Sequence, residues 1–254
     1  MTFAKDLGSN VTRWWWRLRR DPVTLAADLI QPVLWLLLFG HLFTYARLGL
    51  GDHLSYLAFM APGVVVMTMF NVAMAGGLEL IVDRETGMLR RLLVTPMHRS
   101  ALLVGRFLFV VALGLAQVVT LLVATRLMGV ALHTSIEGVA TTLVAVVLLG
   151  SGVAIVSLVL AFALRSHGPF YAVLGFITLP MTFLSTAFAP VSTMAPWLRT
   201  IAFWNPLTYA VSASRAALFA HVSPSAVGPM LGALLLFDGL ALAVGLRIFQ
   251  QALA

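Results

Sequence analysis

The sequence predicts an all-α, polytopic membrane protein with six transmembrane helices. Three observations predict it. First, 61% of the 254 residues are hydrophobic and only 10% are charged, whereas a water-soluble domain carries about a quarter charged residues. A fold of this length has no interior large enough to hide so much apolar surface, so lipid must be part of its solvent. Second, six windows hold about 20 mostly apolar residues each, the length a helix needs to cross about 30 Å of hydrocarbon. Third, these windows are continuously apolar rather than alternating, which selects helices over barrel strands. No internal repeat is visible, and residues 1–254 read as one transmembrane domain.

In chain order, residues 1–22 form an amphipathic helix. Leu7, Val11, Trp14 and Leu18 make one stripe, Arg13, Arg17 and Arg20 another, and Asp21-Pro22 ends the pattern. Such a helix is expected either to lie in the inner headgroup layer with Trp14, Trp15 and Trp16 at the interface or to be an ordinary positive-inside anchor with no further role. The spans follow at Leu25–Tyr45, Tyr56–Leu78, Leu102–Thr125, Val139–Leu164, Phe170–Pro190 and Gly228–Phe249. Placing the N-terminus inside puts twelve of the 16 basic residues in inner segments, so both termini are expected to be cytoplasmic. The basic N-terminal stretch is long, the next apolar run is full-length and no A-x-A-like site follows, which argues against a cleaved signal peptide.

Between the second and third spans, LELIVDRETGMLRRLLVTPMHRS reads as a second amphipathic helix, residues 79–98. Leu78, Ile81, Val82, Leu89, Leu92 and Leu93 fall on one side, and Asp83, Arg84, Gly87, Arg90 and Arg91 on the other, until Pro96. Glu85 interrupts the apolar side and therefore calls for a polar or basic partner. A plain connector needs neither this length nor these acids; a helix that docks on a cytoplasmic protein does.

Inside the spans, Asn71, Gln117 and Asp238 are the candidates for a substrate pathway. A carboxylate at Asp238, mid-span, costs about 2.5–3.5 kcal/mol on insertion scales unless neutralised or paired. A protonated or hydrogen-bonded aspartate between helices is the alternative. Amides such as Asn71 and Gln117 commonly hold helices together. Asp28 is within reach of the N-terminal arginines. The six histidines lack metal-ligand spacing, and the absence of cysteine excludes disulfides and thiolate metal sites. The single lysine, Lys5, lies outside any GxxxxGK[ST] loop, so this chain has no phosphate loop of that kind.

MAPGVVVMTMF, DRETGMLRRLLVTPMHRSALLVGR and FWNPLTYAVSASRAAL occur here in that order. Together they resemble the permeases of type-2 ATP-binding-cassette exporters, in particular the daunorubicin-resistance-like drug exporters, over essentially the whole chain. The resemblance implies a non-enzymatic permease paired with a second permease, identical or homologous, and with two copies of an ATPase that binds ATP and Mg. It implies a coupling helix at Asp83, Arg84, Glu85, Gly87, Leu89, Arg90, Arg91 and Pro96, and an N-terminal helix, Val11 to Arg20 with Trp14, Trp15, Arg17 and Arg20, that braces the ATPase. It also implies short re-entrant helices at the outer face within residues 186–219, where Asn205, Pro206, Tyr209 and Arg215 shape the turn. Membrane lipid but no nucleic acid is expected as a further partner, in a plasma membrane of bacterial type. The expected activity is export of an amphipathic drug or lipid-like substrate. The alternatives are export of a polysaccharide or lipid-linked glycan by the same family, or proton-coupled secondary transport, against which stand the lone central acid and the absence of repeated halves. A membrane enzyme holding Mg²⁺ on clustered aspartates is disfavoured by the dispersed acidic residues.

Overall fold

The computed structural model describes residues 3–20, 22–42, 56–88, 99–130, 135–164, 166–219 and 223–253. Among them every regular element is helical. In order these are α1 (Phe3–Arg20), α2 (Pro22–Leu42), α3 (Tyr56–Ala75), α4 (Leu78–Glu85), α5 (Arg99–Leu127), α6 (Ile136–Ala163) and α7 (His167–Phe183). A 3₁₀ turn (Val191–Thr193), α8 (Pro196–Trp204), α9 (Pro206–Phe219) and α10 (Pro224–Leu253) complete them. Proline sits at the first position of α2, α8, α9 and α10, where its missing N–H has no carbonyl to serve and its fixed φ suits the helix.

The bundle is organised around α3 and α6. α3 packs against α2, α5, α6, α7 and α9, while α6 also receives α4 and α10. Val65, Met69 and Phe70 of α3 meet Val118 and Leu121 of α5, Leu149 and Val153 of α6, and Leu207 and Val211 of α9 in one core. α3 is almost continuously apolar and most of its residues are buried, which is the pattern of a helix enclosed by others. α10 is equally apolar yet exposes Leu235, Leu236, Leu240 and Leu246, as a helix facing hydrocarbon does.

Among the described residues, four stretches are long and apolar enough to cross a membrane: Tyr56–Glu85, Leu103–Leu127, Ile136–Ala163 and Ser225–Ile248. They coincide with the second, third, fourth and sixth windows. The first window meets a shorter apolar stretch, Ala26–Leu38 within α2, and residues 43–45 lie outside the described set. The fifth window is corrected at its end. α7 stops at Phe183, not near Pro190, and its 17 residues rise about 25 Å. Pro180 has no N–H for the Phe176 carbonyl, and the chain turns through residues 184–190 before α8.

Two other expectations change. The helix read over residues 79–98 is broken: α4 ends at Glu85, where the N–H groups of Thr86 and Gly87 close onto the Val82 and Arg84 carbonyls. Gly87 then takes φ +71°, a left-handed conformation natural to glycine at a helix C-terminus. Leu89, Arg90, Arg91 and Pro96 lie outside the described residues. Trp14 is not at the lipid interface either. It is 4% exposed, because the apolar stripe of α1 packs on α5 and places the indole against Phe109 and beneath the Arg106 guanidinium, 4.1 Å from its centroid. Trp15 and Trp16 are exposed, with Arg19 over the Trp15 ring, and Arg20 is also exposed. Of Arg17 only the backbone, on α1, is described.

Candidate functional site: the α4 junction and the cleft

α3 and α4 are one apolar run broken at Gly76-Gly77, and a break inside a membrane protein leaves backbone groups that water does not reach. Two side chains take them up. The Arg106 Nε donates to the Gly76 carbonyl at 3.0 Å. The Ser157 hydroxyl accepts the Gly77 N–H at 2.8 Å and donates to the Met74 carbonyl. A Cβ at Gly77 would fall on the Ser157 backbone carbonyl, so only glycine lets α3 turn this close to α6. The break aims α4 across the end of the bundle, where Ile81 is buried with Ala161 of α6 and Phe170 of α7.

Three consecutive charged residues then reach three different elements. Successive helical residues point about 100° apart, so a short helix seated in a nest of others spreads neighbouring side chains around itself. Asp83, 6% exposed, pairs with Arg13 of α1 at 3.1 Å. Arg84 donates to the Leu164 carbonyl that ends α6, at 3.3 Å, and lies over the Phe162 ring. Glu85 accepts the backbone N–H of His167 at 3.1 Å and pairs with its imidazole, at the N-terminus of α7, where a carboxylate also meets the positive end of the helix dipole. The polar partner that Glu85 called for is therefore within the chain. Asp83 and Arg84 likewise face neighbouring helices rather than open solvent, and the described part of the expected docking helix is a junction of α1, α6 and α7.

The intramembrane candidates separate. Asn71 is exposed on α3 and borders a cleft of about 360 Å³ between α2, α3 and α7, together with Gln31, Trp35, Thr178, Thr182 and Phe183. Among the described residues, none that lines the cleft is ionisable. Asp238 is not in it: the Ser151 hydroxyl donates to its Oδ1 at 2.9 Å, at the contact of α6 and α10 beside Gly152. Gln117 is buried on α5, with both polar atoms of its amide unpaired, and does not line the cleft.

At the opposite end, the turn between α7 and α9 is held by polar side chains. Asn205 donates to the Met181 and Leu184 carbonyls, at 2.6 and 3.4 Å, and accepts the Leu207 N–H next to Pro206. Tyr209 donates to the Phe203 carbonyl at 2.8 Å. Arg215 reaches back to the Phe59 carbonyl at 3.1 Å and the Thr186 carbonyl at 2.9 Å, with its guanidinium 3.8 Å from the Phe59 ring centroid. These four residues close one structural unit between α3, α7 and α9.

Sequence reasoning passed over Ser157, Arg106 and His167. A lone serine in an apolar span carries no pattern. Arg106, by contrast, is the basic residue at the inner edge of a span, and the Ser166-His167-Gly168-Pro169 stretch is a recognisable helix start.

Several helices of membrane-spanning length around a common core mark a multi-pass membrane protein. The family model for the ABC-2 type transporter matches residues 5–219, and the chain belongs to that family. Among similar proteins is a transport permease, ycf38, of Porphyra purpurea, 38% identical over 213 residues that cover 83% of this chain and 73% of the relative. The daunorubicin resistance ABC transporter permease protein DrrB1 of Streptomyces coeruleorubidus is 26% identical over 220 residues, 84% of this chain and 75% of that one. A doxorubicin resistance ABC transporter permease protein, DrrC, of Mycobacterium tuberculosis is 27% identical over 259 residues, 93% of this chain and 85% of its own length.

Proposed function

We propose that this chain is the transmembrane subunit of an ATP-driven exporter that moves an amphipathic drug or lipid-like molecule out of the cell. A separate ATPase, in two copies, supplies the energy, and a second permease, identical or homologous, completes the pathway. ATP and Mg belong to the ATPase; on the membrane side, α2 and α7 complete six spans. The observation that carries the reading is the α4 junction. One short helix, continuous with α3 through a glycine break, holds α1, α6 and α7 through Asp83, Arg84 and Glu85. A push on α4 or on the segment after it therefore reaches three helices at once, which a flexible connector would not transmit.

Sidedness follows from the same end. Arg13 and Arg84 meet at α4 and Arg106 at the Gly76 break before it, which supports a cytoplasmic end there by the positive-inside rule, with both chain termini inside. The membrane is a cell membrane of bacterial type. The cleft supports the substrate class: an aromatic and aliphatic lining with amide and hydroxyl groups suits a molecule with an apolar body and a few hydrogen-bonding groups. The names of the daunorubicin- and doxorubicin-resistance relatives point the same way.

The test is reconstitution of the permease with its ATPase in proteoliposomes, following daunorubicin and a fluorescent phospholipid. Transport of either that requires ATP hydrolysis supports the reading. Transport driven by a pH gradient and indifferent to ATP would replace it with secondary transport.

A further inference from the structure

We propose that His167 is a positioning residue that ties the motion of α4 to the opening of the cleft. The inference rests on the exporter reading for its purpose, but not for its geometry. α7 begins without a cap of its own: Ser166 stands at the N-cap and makes no side-chain hydrogen bond there. The first amides of a helix need acceptors, and here one comes from another helix. Glu85, the last residue of α4, takes the His167 N–H with one carboxylate oxygen and the His167 imidazole with the other. Its neighbour Arg84 holds the Leu164 carbonyl on the other side of the same connection. The C-terminal turn of α4 thus grips the α6–α7 link from both flanks.

α7 is suited to carry that grip onward. His167, Leu174, Thr178 and Thr182 recur at helical spacing and lie along one face, and the last three line the cleft. From His167 to Thr178 the helix rises about 16 Å; Pro169 falls in its first turn, where proline breaks no helical hydrogen bond, and Pro180 comes later. A shift of α4 is therefore delivered as a tilt of a stiff rod whose far half forms one wall of the cleft, opposite Asn71 of α3. The contact is made at two half-exposed side chains, so it can be exchanged without emptying a core.

The chain contains no cysteine, which allows the cleft to be read directly. Asn71→Cys is introduced into the detergent-solubilised permease and its rate of labelling by a small polar maleimide is measured. The backgrounds are Glu85→Gln, His167→Gln, both together, and His167→Arg, which keeps a hydrogen-bond donor against Glu85. Monodispersity on size exclusion verifies folding in each. The expected result is a rate change of roughly two- to fivefold, the range over which an exposed ion pair shifts an equilibrium. It is expected to be the same in the two single variants and the double variant, with the rate restored in His167→Arg. Unchanged labelling throughout, or effects of the single variants that simply multiply in the double, would overturn the relay. The same variants are then assayed for transport with the ATPase present. A labelling change in a permease that never associates with an ATPase leaves the relay standing and removes the exporter reading. ATP-driven export with labelling indifferent to both residues does the reverse.

Discussion

Replacing Ser157 by alanine removes one hydroxyl from the middle of the bundle and two hydrogen bonds from the α3–α4 break. The Gly77 N–H and the Met74 carbonyl both lose their side-chain partner, at a site where Ser157 itself is 0% exposed. Leaving a buried backbone donor unpaired costs about 1–3 kcal/mol. Interhelical side-chain hydrogen bonds in membranes average lower, about 0.6 kcal/mol, because the alternatives in lipid also find partners. The lower figure describes side chains free to re-pair. The Gly77 N–H has no such freedom, since the close approach that forbids a Cβ at Gly77 also leaves little space for water. The desolvation term therefore wins, and the expected loss is about 1–3 kcal/mol, or several degrees in the midpoint of a chain this size. Tryptophan fluorescence during heating in detergent reads it, with six tryptophans as reporters. Thr120→Ala, which loses only an exposed bond within α5 and leaves the break untouched, is the control. A Ser157→Ala midpoint within one degree of the parent would refute the claim that this hydroxyl holds the break.

Two further outcomes are expected. Arg215→Lys keeps the charge but cannot span the Phe59 and Thr186 carbonyls while stacking on the Phe59 ring; it should cost about 1.5–3 kcal/mol in the same melting assay, and a melting midpoint equal to that of the parent would show that the planar fork is dispensable. Asp238→Asn retains an oxygen that accepts from Ser151, so stability should stay within about 0.5 kcal/mol and ATP-driven export in proteoliposomes should persist; loss of export in a stable variant would show that the carboxylate charge is used in transport.

The helical bundle was legible because a continuous apolar run has one stable form in lipid, and four windows match helices of spanning length. The fifth window overran because hydropathy does not register the hydrogen bond that Pro180 removes or the turn that follows Phe183. The break of the 79–98 helix was written in Thr86-Gly87, a common helix stop, but apolar periodicity continuing through Leu89 and Leu92 masked it. The α4 charges were located, and a polar partner for Glu85 was expected, but the elements these side chains meet were not legible. A helical wheel sorts residues by side but names no neighbour: Asp83 and Arg84 meet Arg13 and the Leu164 carbonyl, and Glu85 meets His167. Trp14 shows the same limit: the stripe was visible, but not whether lipid or α5 covers it. His167 went unnoticed because histidines were weighed as metal ligands, not as the first residue of a helix awaiting a cap.

The central claim is that this permease draws its energy from a separate ATPase engaged at the α4 end. The most direct measurement is affinity purification of the tagged chain in mild detergent, with mass spectrometry and an ATP hydrolysis assay. Single cysteines for crosslinking are placed at Arg90 and Arg91, just beyond α4. The account predicts a co-purifying nucleotide-binding subunit that crosslinks at these positions and hydrolyses ATP. A chain that purifies alone, without hydrolysis or crosslinks at any expression level, would contradict it.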